Sequence, residues 1–405
     1  MAGVTLGSAW ADKAKKRKSP YRKLTVFARV LSYVENEYVV PVNRDRVIED
    51  AIRGLVRGLD PHTQFFSASQ VKRLQAMITG RFSGVGLTLT KRKGQVIILS
   101  AAPGGPAGHA RLRTGDLLIA IDGKPVAKWD LPRITSSLRG RRGTRVTLTI
   151  RPRGQNPRQR RTRKISLVRD TIRSVDVVKG SLGHGVGLVQ VRRFSHGSAR
   201  AAKRAIRMLR KAHGGKLKGL VLDLRNNPGG LMDEGIRLAD HFLGKGLIVR
   251  KVGKRGRLRE SDFAHAKGTL TGVPMAVLVN RGTASASEIV AAALRDHRRA
   301  TLLGSRTFGK GSMQSIIPLP DGSRLKLTIA RYYRPSGKAI AGLGVRPHLR
   351  VKAGARGPAT PPASALTPPD RVVKPTAKMP RWVKGDATLL RAVKRLRRVK
   401  RRRPE

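Results

Sequence analysis

The chain has 405 residues, 86 of them Lys or Arg against 24 Asp or Glu, so its formal charge is +62 at pH 7. With 39% hydrophobic residues it has enough apolar material for packed cores, which excludes wholesale disorder. Cysteine is absent, which excludes disulfides, cysteine-ligated zinc, iron–sulfur clusters and thiol catalysis. No apolar run reaches the ~18–20 residues that span a bilayer, and the length suggests about two to four domains. The cations are scattered along the whole chain and are not interleaved with aromatics, which make up only 4%. Most of the charge therefore reads as a solvated surface, with polyanion binding as the rival reading.

Residues 1–23 read as a basic lead-in or signal remnant. Ala9-Trp10-Ala11 resembles a signal-peptidase site, but the basic and apolar stretches that precede such a site are incomplete. Residues 24–78 form a helical segment. One helix begins at Leu24, with Val26, Phe27, Val30, Leu31 and Val34 at helical spacing, and a second runs from Arg44 to Gly58 and stops before Pro61. From 79 to 172 the pattern is β-rich. It contains strands at Val96–Leu99, Asp116–Ile121 and Arg145–Arg151, an Asp122-Gly123 turn, and a short helix at Asp130–Leu138.

From 173 to 352 strands alternate with helices: Val186–Val191, Ser198–Lys211, Gly219–Leu224, Gly230–Leu243, Met275–Val279, Ala286–Leu294 and Leu325–Tyr333. Such alternation predicts a largely parallel sheet with helices on its faces. A Pro-rich linker covers 353–380, and a basic helix and tail cover 381–405. The fold class is multi-domain α/β.

Three segments of the α/β region offer chemistry. Asp223-Leu-Arg-Asn-Asn-Pro-Gly229-Gly230 lies between a strand and a helix, where clefts of parallel sheets sit and backbone N–H groups face outward. It could serve an oxyanion or a phosphate, or be an ordinary turn. Thr283-Ala-Ser285-Ala286-Ser-Glu288 also opens a helix. It fits a capping box, or a nucleophilic Ser285 with the Ala286 N–H aimed at a developing oxyanion. Gly304–Gln314 nearly matches a phosphate-binding loop, but Gly311 stands where Ser or Thr would hold magnesium, and a strand pattern follows in place of a helix. Read as a strand, it puts Lys310, Ser312 and Gln314 on one face. A lysine in an apolar cleft loses its proton more readily and so suits a general base. None of the nine His lies in a nucleophile–base or metal-binding motif.

These motifs, in this order, resemble the carboxyl-terminal processing (tail-specific) proteases, which are serine peptidases carrying a PDZ domain. The likeness rests on Gly58-Leu-Asp-Pro-His-Thr63, Gly84-Val85-Gly86-Leu87, Gly115–Gly123, Leu222–Gly230, Thr283–Ile289 and Gly304–Gln314. The resemblance implies Ser285 as nucleophile, Lys310 as general base and Gln314 as the residue that orients the lysine. It implies an oxyanion hole from Ala286 and from Gly229 or Gly230, and it implies neither metal nor cofactor. In the PDZ domain, Gly84, Val85, Gly86 and Leu87 would meet a substrate carboxylate, with the terminal side chain near Ile134 and Leu138. The partners expected are protein or peptide substrates with free C-termini, with room for an envelope adaptor and for contact between the basic tail and an anionic surface. Nucleic acid is not expected, and the location implied is periplasm or cell envelope. A catalytically silent PDZ scaffold is the alternative from another class.

Overall fold

The computed structural model describes residues 20–71, 81–92, 94–102, 104–154, 161–173, 175–351, 366–369, 371–372 and 375–401. The Ala9–Ala11 segment, most of the lead-in, much of the Pro-rich linker and the last four residues lie outside them. The N-terminal segment follows its apolar spacing into α1 (Pro20–Glu37) and α2 (Arg44–Arg57). Asn43 caps α2 by accepting the Arg46 N–H at 2.9 Å. α2 buries Val56, whereas α1 leaves Leu24, Phe27 and Val30 at 59, 45 and 54% exposure. The segment ends in β1 (Gln64–Phe66).

The β-rich region contains β2 (Arg81–Gly84), β3 (Leu87–Arg92), β4 (Gln95–Ala101), α3 (Pro106–His109), β5 (Leu117–Ile121), β6 (Lys124–Pro125), α4 (Leu131–Leu138), β7 (Arg145–Arg151), β8 (Arg163–Val168) and β9 (Asp170–Arg173). Its sheet runs β3-β4-β5-β7-β8, with β6 on β5 and a separate β2–β9 pair. The turn after β5 needs positive φ at two residues, which Asp122 (47°) and Gly123 (76°) provide. Asp130 caps α4 through the Arg133 N–H at 2.9 Å. Alternate residues of β7 (Val146, Leu148, Ile150) face a core shared with Ile98, Leu118, Ile134 and Leu138.

The remaining elements are β10 (Val177–Ser181), β11 (Val186–Val191), α5 (Ser198–Ala212), β12 (Gly219–Asp223), α6 (Met232–Asp240), β13 (Leu247–Val252), β14 (Leu258–Phe263), β15 (Met275–Val279), α7 (Ala286–Asp296), β16 (Thr301–Gly304), β17 (Ser312–Pro318), β18 (Arg324–Tyr333), β19 (Leu349–Arg350), α8 (Arg381–Lys384) and α9 (Ala387–Arg401). The main sheet has the order β10-β11-β12-β15-β16-β19 and is parallel except for β10. Its strands are apolar at successive positions because both faces are covered. Leu220, Leu222, Val277 and Val279 face a core with α5, α6 and α7. The intervening Val221, Ala276 and Leu278 face α9.

A second, antiparallel sheet runs β1-β18-β13-β14, with β17 also on β18. β1 joins through Gln64 opposite Lys326, so the N-terminal segment is stitched into the sheet that carries Gln314. The reading of 310–314 as one strand needs correction: β17 starts at Ser312, Lys310 sits in the turn before it, and a register shift falls between Met313 and Gln314.

Candidate active site

Two neighbouring parallel strands, β12 and β15, deliver turns to the same edge of the main sheet. The β15 turn ends at Ser285, whose φ of 58° and ψ of −123° are strained for a residue with a side chain. The turn is fastened to its neighbour. The Thr283 hydroxyl donates to Leu224 O at 2.8 Å, the Ala284 N–H to Asn227 O at 2.9 Å, and the Ser287 hydroxyl to Asn227 O at 3.1 Å. Ser285 is thereby fixed at the mouth of α7.

The β12 turn needs glycine twice. A Cβ on Gly229, at φ 95°, would lie 2.7 Å from the Ser285 Cβ, and one on Gly230, at φ 138°, would lie 2.1 Å from Phe194 O. The Gly229 N–H is taken by Asn227 Oδ1 at 2.9 Å, and buried Asn227 is itself held through its Nδ2 on Val191 O, also at 2.9 Å. Among the described residues the N–H groups of Gly230 and Ala286 make no hydrogen bond. Behind the turn, Arg225 forms buried ion pairs with Asp223 and Asp386, each at 2.7 Å. Burial opposes the Arg225 charge, but Asp223 and Asp386 together outweigh it and the guanidinium is held above its ordinary pKa. Asp386 also accepts the N–H groups of Thr388 and Leu389, so the start of α9 is tied to this turn.

Glu288, fully buried in the first turn of α7, joins the Ser285 turn to the Lys310 turn. Its Oε2 accepts the Ser285 N–H at 2.9 Å and the Lys310 N–H at 2.8 Å. Its Oε1 accepts the Gly309 N–H at 2.7 Å and the Thr307 hydroxyl at 2.5 Å. Burial raises the Glu288 pKa above the ordinary value, and the four donors only partly offset this. The sequence shows this residue only as half of a capping box. Its bond to Ser285 is that half, and the three bonds to the 307–310 turn depend on the tertiary fold.

Lys310 is half-buried. Its charge acts on His62 and Lys326, whose pKa values are lowered first by burial and then by Lys310. Gln314, on β17, pairs with Thr328 of β18. Its Nε2 donates to Ser312 O at 3.0 Å, to Ser312 Oγ at 2.8 Å and to Thr328 Oγ1 at 3.4 Å. Motif reading placed His62 only at the end of the N-terminal helices and gave Thr328 no role, because each becomes a neighbour of the site only when β1 and β17 pair with β18.

The second set of expected site residues lies in the β-rich region. Gly84 ends β2, Val85 is buried, Gly86 has φ 80° and Leu87 opens β3. Ile134 and Leu138 are 0 and 5% exposed and pack in the same core as Val85, so the core-packing role of both is evident. Among the described residues no group of three or more His, Asp or Glu could hold a metal, and no helix is long and apolar enough to cross a membrane.

Comparison with known proteins places these observations. Residues 185–351 match the model of peptidase family S41, and residues 97–152 match that of the PDZ domain. The chain is 38% identical over 362 residues to a carboxy-terminal-processing protease of Bartonella bacilliformis, covering 87% of this chain and 81% of that one. It is 32% identical over 337 residues to a probable CtpA-like serine protease of Staphylococcus aureus, covering 82% of this chain and 66% of the relative. The solved structure of a photosystem II D1 C-terminal processing protease matches with 33% identity and a TM-score of 0.51, over 82% of this chain and 87% of that one. The chain therefore belongs to the carboxy-terminal-processing serine proteases of peptidase family S41, with a PDZ domain joined to the protease fold.

Proposed function

We propose that Ser285 is the nucleophile, Lys310 the general base and Gln314 the residue that orients the lysine, with the N–H groups of Gly230 and Ala286 as the oxyanion hole. The observation that carries this reading is the shared Glu288 oxygen. The Ser285 and Lys310 backbone amides, far apart in the chain, donate to one atom at 2.9 and 2.8 Å, which brings the two residues together. Gly230 is preferred to Gly229 because the Gly229 N–H already serves Asn227.

In the first step the Lys310 amine, once it has shed its own proton, takes the Ser285 hydroxyl proton while Oγ attacks a peptide carbonyl. The carbonyl oxygen becomes an oxyanion and is met by two unpaired backbone donors, one on each turn. Such donors are already aimed before charge develops, and each is worth ~10²–10³ in rate. Collapse breaks the C–N bond, the leaving amine takes the proton from Lys310, and an acyl-Ser285 ester remains. Water then attacks the ester, with Lys310 again accepting the proton; the acyl C–Oγ bond breaks, Ser285 Oγ takes the proton back from Lys310, and the product leaves with a new C-terminal carboxyl group.

The PDZ domain would select substrates by their C-termini. Strand addition beside β3 and capture of the terminal carboxylate by backbone N–H groups of Gly84–Leu87 suit an unstructured tail. Ile134 has no exposed surface, so a terminal side chain reaches it only if the groove walls part. The Ala9-Trp10-Ala11 likeness and the family together favour action in the cell envelope. The test is cleavage of labelled casein and of a peptide with a free apolar C-terminus, beside Ser285→Ala. Turnover by the native chain and none by the equally folded variant are expected. Binding of the tail without cleavage by the native chain would favour the silent scaffold.

A further inference from the structure

The turn that closes the N-terminal helical segment reaches the catalytic sheet by side-chain hydrogen bonds. Asp60 Oδ1 accepts the N–H groups of His62 at 2.7 Å and Thr63 at 3.0 Å, and the Thr328 hydroxyl at 3.2 Å. Asp60 Oδ2 accepts the Thr63 hydroxyl at 2.7 Å, and Thr63 Oγ1 in turn accepts the Thr328 N–H at 3.2 Å. Thr328 is thus held by both its hydroxyl and its backbone. It stands directly opposite Gln314 across β17 and β18.

The polarity of this chain of bonds decides which way Gln314 faces. A carboxylate only accepts, so the Thr328 hydroxyl proton points to Asp60, and Thr328 Oγ1 can only accept from Gln314. The Ser312 carbonyl makes the same demand. Both require the Gln314 NH₂ on that side, which leaves its carbonyl oxygen as the end turned to other partners. An amine that must be aligned with Ser285 needs an acceptor of this kind.

We propose that Asp60 is a positioning residue of the catalytic centre, acting through Thr328 to fix the amide orientation of Gln314. The N-terminal segment then becomes part of the active site. This rests on Gln314 orienting Lys310 as stated above. Asp60 reaches Gln314 only through Thr328, so its role is one of positioning.

The test uses the full chain and steady-state cleavage of a labelled peptide. Thr328→Val should lower kcat about tenfold with KM within about twofold, since orientation alone is lost. Thr328→Ser, which keeps the hydroxyl, should restore most of the rate, and Asp60→Ala should match Thr328→Val. In a Gln314→Ala background neither change should cost more than about twofold, because their only route has been removed. Should Asp60→Ala fail to fold, the two Thr328 variants decide the matter alone. A native kcat in Thr328→Val, or losses that multiply with Gln314→Ala, would overturn the proposal while leaving Gln314 in its role. A native kcat in Gln314→Ala would overturn that role and the proposal with it.

Discussion

The two turns at the edge of the main sheet look alike in sequence and are held in opposite ways. Each joins a buried parallel strand to a helix whose third residue is glutamate, Glu234 in α6 and Glu288 in α7. The β12 turn presents backbone donors, and its support is the buried Arg225 pinned between Asp223 and Asp386. The β15 turn presents a side chain, Ser285, and its support is a buried carboxylate whose partners among the described residues are all hydrogen-bond donors without a cation among them. The glutamates differ in the same sense. Burial opposes the Glu234 charge, but the N–H groups of Ala199 and Gly197 and the Arg237 guanidinium hold its pKa below the ordinary value. Burial prevails at Glu288 and raises it. A glutamate at a helix entrance can therefore lock a neighbouring helix or join two turns, depending on what the fold brings to it.

The largest effect on cleavage that breaks this contrast is expected from Glu288→Gln. Both oxygens of Glu288 are occupied by donors, and an amide replaces one acceptor with a further donor. Cleavage should fall about 10²–10³-fold, roughly 3–4 kcal/mol by the usual conversion, with a lower melting temperature. Near-native kcat/KM would show that the shared carboxylate does not set the alignment of Ser285 and Lys310. Next comes Arg225→Met, which leaves two buried carboxylates uncompensated. A loss of about 3–5 kcal/mol of stability in urea titration is expected. Activity per folded molecule should change far less than in Glu288→Gln, because this support holds backbone and does not touch the Lys310 turn. A variant as stable as the native chain would contradict the pinning role of Arg225.

The smallest effect is a pH dependence of opposite sign at the two glutamates. The folded pKa of Glu234 is lowered from 4.5, so its stabilising contribution is present above that value and is lost as pH falls through the lower folded pKa. The stability gap between the native chain and Glu234→Gln should therefore close in acid. The folded pKa of Glu288 is raised from 4.5, so its contribution is present below 4.5 and is lost as pH rises through the folded value. Urea titrations between pH 3 and 7 would show two opposed slopes (about 1.4 kcal/mol for each unit of pKa difference), and parallel slopes would refute the contrast.

The strands of the main sheet were legible because both their faces are buried, so Leu220–Leu222 and Met275–Val279 are apolar without interruption. Helix ends were legible where caps are local, as at Asn43 and Asp130. The short strands β1, β2, β9 and β19 were not, because two to four residues carry too little periodicity and exist by pairing with distant partners. The amphipathic pattern likewise identified α1 and α9 but could not say that α9 buries Leu389, Val393 and Leu396 while α1 leaves Phe27 and Val30 in solvent. In the candidate site, Ser285, Lys310 and the paired glycines stood out by motif. Asp60 and His62 lie in the Gly58–Thr63 motif but received no role at the site, and Thr328 lies in no motif, since β1 reaches the second sheet only through a pairing with β18 that spans most of the chain.

The most direct measurement is the rate at which a fluorophosphonate modifies Ser285, followed by mass spectrometry of the peptide that contains it, in the native chain and in Lys310→Met. One adduct on Ser285 in the native chain, and a rate at least about 100-fold lower in the variant, is the expected result. Equal rates in the two proteins, or modification at a different serine, would contradict a Ser285 nucleophile activated by Lys310.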